Sequence, residues 1–156
     1  MLLQWKSKFQ SMISQFENLT IEERELLFKA PVLLSVLASC SNKEINKNQK
    51  ADAIKLSHLK PFTADPSLVP FYVEVEKNFE REFESISKQY NLFDEAGRGQ
   101  LKDQIKRITV VLKKLNRDYA SKLLKSFEKY ERHVKRAAHN VVEDFIFPVP
   151  IPGLNA

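Results

Sequence analysis

Several oxygen-bearing side chains lie in the short polar stretch that follows the first long apolar segment of the chain. They are Ser41, Asn42, Glu44, Asn46 and Gln49, and a loop of oxygen ligands between two helices is a common setting for Ca²⁺ or Mg²⁺. Such hard cations are held chiefly by carboxylates, and Glu44 is the only carboxylate in the loop. Three lysines of the same stretch oppose a cation, because one unit charge about 4 Å away costs several kcal/mol at an effective dielectric constant of about 20. We therefore expect a degenerate loop that keeps the outline of a metal site and holds no metal.

The reactive side chains elsewhere give little support to catalysis. Cys40 ends an apolar segment and has no local feature that would lower its thiol pKa, so we interpret it as a buried filler. His58, His133 and His139 lack the spacing of zinc ligands, since the last two would lie about 240° apart on one helix. Neither a glycine-rich phosphate loop nor a GxSxG nucleophile motif occurs. We predict no catalytic residue, no enzymatic activity, no cofactor and no small-molecule substrate.

The net charge of +5 comes entirely from the C-terminal part of the chain. Residues 1–93 carry 12 basic and 12 acidic side chains, whereas residues 98–136 carry 13 basic and 4 acidic ones. Such a positive field could meet nucleic-acid phosphates or an anionic membrane. The interpretation that we favour is that the basic side chains solvate two long helices and pair with the Glu-rich segment at 68–90. The candidate anion-binding face consists of Lys102, Lys106, Arg107, Lys113, Lys114, Arg117, Lys125, Arg132 and Arg136.

Length and composition are those of one globular domain. The chain has 156 residues, of which 43% are hydrophobic and 29% charged. A single cysteine excludes an intrachain disulfide and favours a reducing cytoplasm. No run approaches the ~20 apolar residues of a spanning helix, and the N-terminal residues lack the apolar core of a signal peptide. We expect a cytoplasmic helical bundle domain over 1–147 and an extended Pro-rich tail over 148–156.

Apolar residues at spacings of three and four predict an all-α bundle of about six helices. The first helix is predicted over 2–17. Thr20 and Glu23 form a capping box for the second, whose later half is apolar on every side and so marks the central buried helix. Pro31 should kink that helix, because its ring removes one backbone hydrogen bond.

The middle of the chain predicts two further helices around a proline-punctuated connector. Asn46 is a good N-cap for a helix that ends at about Lys60. The next helix covers roughly 68–90, with Asp65 or Ser67 as its cap. The stretch 91–100, NLFDEAGRGQ, is the clearest break in the chain.

The last apolar pattern runs from 101 to 145 without a glycine or proline. One helix of that length would span ~65 Å, against ~35–40 Å for a compact domain of this size. We therefore expect a turn at 116–118, with Asn116 or Asp118 as the cap of the last helix. The alternative is one continuous helix that pairs with another chain as a coiled coil.

The segment 19–59 resembles the core of the TerB-like family, which is named for tellurite-resistance proteins. In that family two long helices bracket a loop of the form A-D-G-x-[IV]-x-x-x-E, and an A-x-x-I-x-x helix follows. Ala38 before the loop, Ile45 inside it, and Ala51 and Ile54 after it give the register. The resemblance implies an all-α fold with its core at about 19–60, a bacterial cytoplasmic protein, divalent-ion binding through loop carboxylates, and a link to stress-response or membrane-associated complexes.

This sequence departs from the family pattern where an ion would bind. Ser41 and Asn42 stand at the positions of the family's Asp-Gly, and Gln49 stands at its acidic position. The leading hypothesis is accordingly a non-enzymatic TerB-like scaffold or protein-interaction module, with a protein partner or a homo-oligomer. The second is a binder of nucleic acid or an anionic membrane through the basic face of residues 98–136. The third is a divalent-metal-binding sensor.

Overall fold

The structure is a computed structural model that describes residues 2–41, 44–92 and 94–137, and within them it forms an α-helical bundle. This confirms the predicted all-α class and the six helices. A short antiparallel hairpin of β1 (Cys40–Ser41) and β2 (Glu44–Ile45) joins the second and third helices, and the sequence did not predict it. The helices are α1 (Leu2–Phe16), α2 (Ile21–Ser39), α3 (Lys47–Thr63), α4 (Val69–Gln89), α5 (Glu95–Leu112) and α6 (Arg117–Arg136).

Helix α2 is the central element, as its apolar second half predicted. It packs against α3, α4, α5 and α6, and nearly every residue from Leu26 to Ser39 is buried. Two buried serines on it are satisfied within the helix, because the Ser35 hydroxyl donates to the Pro31 carbonyl (2.6 Å) and the Ser39 hydroxyl donates to the Ser35 carbonyl (2.7 Å). Pro31 lies inside an uninterrupted helix, and its kink stays a prediction.

Three helix N-termini have the caps that the sequence predicts. Thr20 and Glu23 form the reciprocal capping box of α2. Asn46 caps α3 by accepting from the Gln49 amide (3.0 Å), and Asn116 caps α6 by accepting from the Asp118 amide (3.0 Å). Residues 101–137 are therefore two helices with a turn between them, and the continuous-helix alternative is wrong.

Two predicted boundaries are wrong. Helix α3 continues through Pro61 to Thr63, so the connector is shorter than expected; a proline in a last turn removes one hydrogen bond without stopping the helix. Helix α5 begins at Glu95, inside the stretch interpreted as a break, and its cap Asp94 accepts from the Gly97 amide (2.7 Å). Gly97 belongs there because a Cβ at this position would lie 1.8 Å from the Asn91 carbonyl oxygen.

The antiparallel helices α3 and α6 lie side by side against α2, and this arrangement builds the surface discussed below. Buried Tyr130 on α6 donates its hydroxyl to the Ala53 carbonyl on α3 (2.8 Å). Buried Tyr72 on α4 shares a hydrogen bond with Ser126 on α6. Within the described ranges, no helix has the length and apolar character needed to cross a bilayer. The predicted tail at 148–156 lies outside the described residues.

Candidate interaction surface

Two of the side chains that sequence reasoning considered as metal ligands make hydrogen bonds within the fold. Asn46 caps α3, and its backbone amide donates to the Ser39 carbonyl (2.8 Å). Gln49 is fully buried and donates its Nε2 to the Lys135 carbonyl on α6 (3.4 Å), while its Oε1 has no hydrogen-bond partner among the described residues. Glu44 is exposed on β2 and Ser41 lies in β1, while Asn42 falls outside the described residues. In the part of the chain that the structure describes, no three His, Cys, Asp or Glu side chains converge on a metal position.

Cys40 packs at the end of α2 rather than in an activating environment. Its thiol is half-buried and lies 3.6 Å from the Leu92 carbonyl, to which it donates. Burial raises the pKa of the Cys40 thiol, and the opposing effect of the Arg98 charge is smaller. The thiol therefore stays protonated near neutral pH, which agrees with its interpretation as a filler.

The two described histidines lie on different helices and each faces one carboxylate. His58 Nδ1 on α3 is 3.2 Å from Glu76 Oε1 on α4. His133 Nε2 on α6 is 3.0 Å from Asp52 Oδ2 on α3. These contacts tie neighbouring helices together at the surface, and His139 lies outside the described residues.

A buried ion pair on α6 was missed by sequence reasoning. Glu131 is only 3% exposed, and its Oε1 lies 2.8 Å from the Lys135 Nζ one turn later. The position could have been found, because 131 stands four residues after buried Phe127 and three before buried Val134, which is core spacing. The side chains of Glu131 and Lys135 are therefore largely buried, and they do not belong to the exposed basic field.

The predicted basic face is distributed over two helices and the turn between them. Helix α5 packs chiefly against α2, and α6 packs against α2 and α3. That the nine residues act as one anion-binding face stays a prediction. Lys102, Lys106, Arg107 and Lys113 lie on or just after α5, Lys114 lies in the turn, and Arg117, Lys125, Arg132 and Arg136 lie on α6.

Two basic side chains on the α5 side, Lys114 and Lys106, have carboxylate partners. Lys114 Nζ lies 2.6 Å from the capping residue Glu23 on α2, whose carboxyl pKa is lowered chiefly by this contact. Lys106 Nζ lies 3.9 Å from Asp103 one turn earlier. The carboxylates of α4 are used elsewhere, because Glu84 pairs with Lys50 and Glu76 faces His58, both on α3. These pairs join α4 to α3 and not to the basic helices.

Helix α6 carries one exposed basic stripe. Its members recur every three or four residues and so share one side of the helix over ~21 Å. Lys122 pairs with Asp118 (3.7 Å), whereas the other four have no carboxylate partner among the described residues. The stripe consists of Lys122, Lys125, Lys129, Arg132 and Arg136.

Two apolar side chains project from α3, the helix that packs beside α6. Leu59 is 45% exposed and Phe62 is 86% exposed. Asp52 faces α6, and Leu59 follows it by seven residues, which puts both on the edge of α3 next to α6. Phe62 follows His58 by four residues, so it lies on the outer side of α3, toward the edge where His58 faces α4. We call Leu59, Phe62 and the basic stripe of α6 the α3–α6 face.

Lys60 adds an unpaired cation at the seam between the two helices. Its Nζ lies 5.4 Å from the centre of the Tyr72 ring, and it makes no ion pair within the described residues. Burial lowers the pKa of Lys60, and the nearby Lys129 charge lowers it further. Two cations therefore lie close together without an anion between them.

Comparisons with known proteins leave the family undecided: no protein-family model, no curated protein and no solved structure matches the chain. The resemblance to the TerB-like family stays a prediction. A function has to be argued from the surfaces themselves.

Proposed function

We propose that this chain is a non-enzymatic interaction module that docks onto an anionic partner through its α3–α6 face. The observation that carries the proposal is the stripe on α6, where four exposed basic side chains lack carboxylate partners among the described residues, together with the exposed ring of Phe62 on the neighbouring helix α3. An isolated charged residue or an exposed leucine needs no explanation. A row of like charges beside an exposed aromatic ring is characteristic of a binding surface.

Electrostatics gives the sign of the partner. The like charges of the stripe repel one another in the free protein, and an anionic surface would replace that repulsion with attraction. Lys60 and Lys129 also favour an anionic partner, because burial and the nearby Lys129 charge disfavour the charged form of Lys60 until an anion approaches. The proposed binding is therefore weakened by salt.

The resemblance of segment 19–59 to the TerB-like family supports a more specific proposal. In it, the chain is a TerB-like scaffold in a bacterial cytoplasm and binds a protein partner or a second copy of itself in a stress-response complex. A metal-sensing role has less support, because the Asn46 side chain is engaged in a helix cap and no three His, Cys, Asp or Glu side chains converge within the described residues.

A comparison of two charge-reversal variants tests the docking surface. The first is Lys125→Glu with Lys129→Glu and Arg132→Glu on α6. The control makes the same charge change beside α2 on the α5 side: Lys106→Glu, Arg107→Glu and Lys113→Glu. All six side chains are exposed, so both variants should keep the helical circular-dichroism spectrum of the wild type.

The wild type and both variants are then purified from the native cells at low salt, with partners read by mass spectrometry and nucleic acid by the ratio of absorbances. We expect the wild type and the α5 variant to retain a salt-sensitive anionic partner that the α6 variant loses. A partner-free and nucleic-acid-free wild-type monomer, or equal retention by the two variants, would overturn the proposal.

A further inference from the structure

We infer that the anionic partner of the α3–α6 face is a lipid bilayer, with Phe62 and Leu59 entering the headgroup region and the stripe of α6 lying over the lipid phosphates. This inference rests on the proposed function, and it names the partner of the same surface.

The shape of the face favours contact with an extended surface over binding of a nucleic acid. Helices α3 and α6 are antiparallel neighbours that both rest on α2, so their outer sides form a broad two-helix layer. Binding of single-stranded nucleic acid relies on several aromatic side chains that stack with successive bases. Phe62 is the one aromatic among the largely exposed apolar side chains of the described residues, so the face lacks a stacking platform.

The apolar side chains lie where an interfacial anchor is needed. Phe62 and Leu59 project from the last turns of α3, on the outer side of the two-helix layer that also carries the basic stripe of α6. Peripheral surfaces that lie in a membrane interface combine apolar side chains, which enter the boundary of headgroups and acyl chains, with basic side chains that remain at the phosphates. A phenylalanine ring that stays 86% exposed in the isolated protein is stabilised by such entry.

The charges are sufficient to make the attraction strong. Five basic residues lie along the ~21 Å of the stripe, a length that spans several lipid headgroups. Each basic side chain near an anionic bilayer contributes roughly a fivefold gain in binding. Among the described residues, Asp118 is the carboxylate that pairs with a residue of the stripe, and it does so at the Lys122 end. The part of the stripe from Lys125 to Arg136 therefore remains positive.

Vesicle co-sedimentation of the full chain tests the inference. The probes are vesicles of phosphatidylcholine alone and of phosphatidylcholine mixed with phosphatidylglycerol. We expect binding only to the mixed vesicles, with a steep loss as salt is raised. The α6 variant described above should bind at least about fiftyfold more weakly, whereas the α5 control should lose far less. Phe62→Ala should weaken binding about tenfold with its charge unchanged.

A fluorescence experiment distinguishes insertion from simple electrostatic adsorption. The single tryptophan of the chain, Trp5, is first replaced by phenylalanine. A new tryptophan is then placed by Phe62→Trp on the face or by Val110→Trp on α5, where Val110 is 57% exposed. The inference requires a blue shift on mixed vesicles for Phe62→Trp and none for Val110→Trp.

The outcomes separate this inference from the proposed function. If mixed vesicles do not bind while an acidic protein or nucleic acid is captured in a charge-dependent manner, the bilayer is wrong and the docking surface stands. Vesicle binding without a shift at position 62 overturns the insertion of Phe62. Absence of every anionic partner overturns both proposals.

Discussion

Gly97 and Gly99 provide the sharpest test of the packing at the start of α5, because the same substitution should have opposite effects two residues apart. A Cβ at Gly97 would lie 1.8 Å from the Asn91 carbonyl oxygen, whereas a Cβ at Gly99 meets nothing within 4 Å. Both positions are helical, and alanine is favoured over glycine in a helix by about 1 kcal/mol. The predicted difference therefore comes from the contact with Asn91.

For Gly97→Ala, the start of α5 must move by at least about 1 Å to reach an allowed contact distance. That movement disturbs two interactions: the Asp94 cap on the Gly97 amide (2.7 Å) and the hydrogen bond from Arg98 Nη1 to the Leu92 carbonyl (2.8 Å). Loss of a cap costs about 1 kcal/mol, and loss of a charged hydrogen bond costs about 1.5–3 kcal/mol. After the gain in helix propensity, we expect a net loss of about 1.5–3 kcal/mol in the free energy of unfolding.

Thermal and urea unfolding, followed by circular dichroism, measure both variants. Gly97→Ala should lower the Tm by about 5–10 °C and Gly99→Ala should raise it by roughly 2–4 °C. The urea m-value should stay constant, since neither change alters the surface exposed on unfolding. If Gly97→Ala proved as stable as the wild type, the close approach of α5 to the Asn91 backbone would be refuted.

Three further substitutions test other parts of the bundle. Asn46→Ala removes the side chain that accepts from the Gln49 amide, so it should lower the free energy of unfolding by about 1 kcal/mol in urea titrations; an unchanged midpoint would mean that this cap is dispensable. Tyr130→Phe deletes the 2.8 Å hydrogen bond to the Ala53 carbonyl between α6 and α3 and should cost about 1 kcal/mol by the same measurement, with equal stability arguing against the bond. Burial raises the pKa of Glu82 above 4.5, so its protonated form favours folding and that contribution is lost as the pH rises through the folded pKa. Glu82→Gln should therefore be more stable than the wild type at about pH 7 and lose this advantage below about pH 4; an advantage independent of pH would contradict the burial effect.

The helices could be predicted because local patterns determine them. Thr20 with Glu23, and Asn46 and Asn116 alone, satisfy free amides at helix starts within a few residues, so the sequence contains the whole interaction. The break near 116 followed from a size argument, since a single helix would have exceeded the diameter of the domain. Both kinds of inference need no knowledge of the neighbouring elements.

The errors arose where a glycine or a proline was interpreted as a helix boundary from its residue type alone. Gly97 resembles a helix breaker in isolation, yet the glycine is required because the Asn91 backbone passes too close for any side chain. Pro61 resembles a stop signal, yet α3 continues past it to Thr63, because in a last turn the proline removes only one hydrogen bond. The residue type gives the local preference, and the backbone around it decides whether the helix ends there.

The candidate surface was predictable only in part, for an electrostatic reason. The count of basic residues between 98 and 136 gave the correct sign of the field, because charge is additive along the chain. How these charges are arranged depends on the way α5 and α6 each pack against α2, and no periodicity within either helix contains that information. Charge asymmetry therefore identifies the sign of a partner, whereas the packing order of helices determines which charges can meet it.

The same reasoning explains why Phe62 matters more than another lysine would. A basic stripe alone attracts any polyanion, so it selects weakly among nucleic acid, acidic protein and lipid. An exposed apolar ring on the same layer is stabilised by a partner that offers an apolar interior behind its anionic surface, and a bilayer offers that along its whole extent. In the proposed docking, charge brings the α3–α6 face to its partner and Phe62 distinguishes between partners of equal charge. The comparison of Phe62→Ala with the charge-reversal variant therefore separates recognition from attraction.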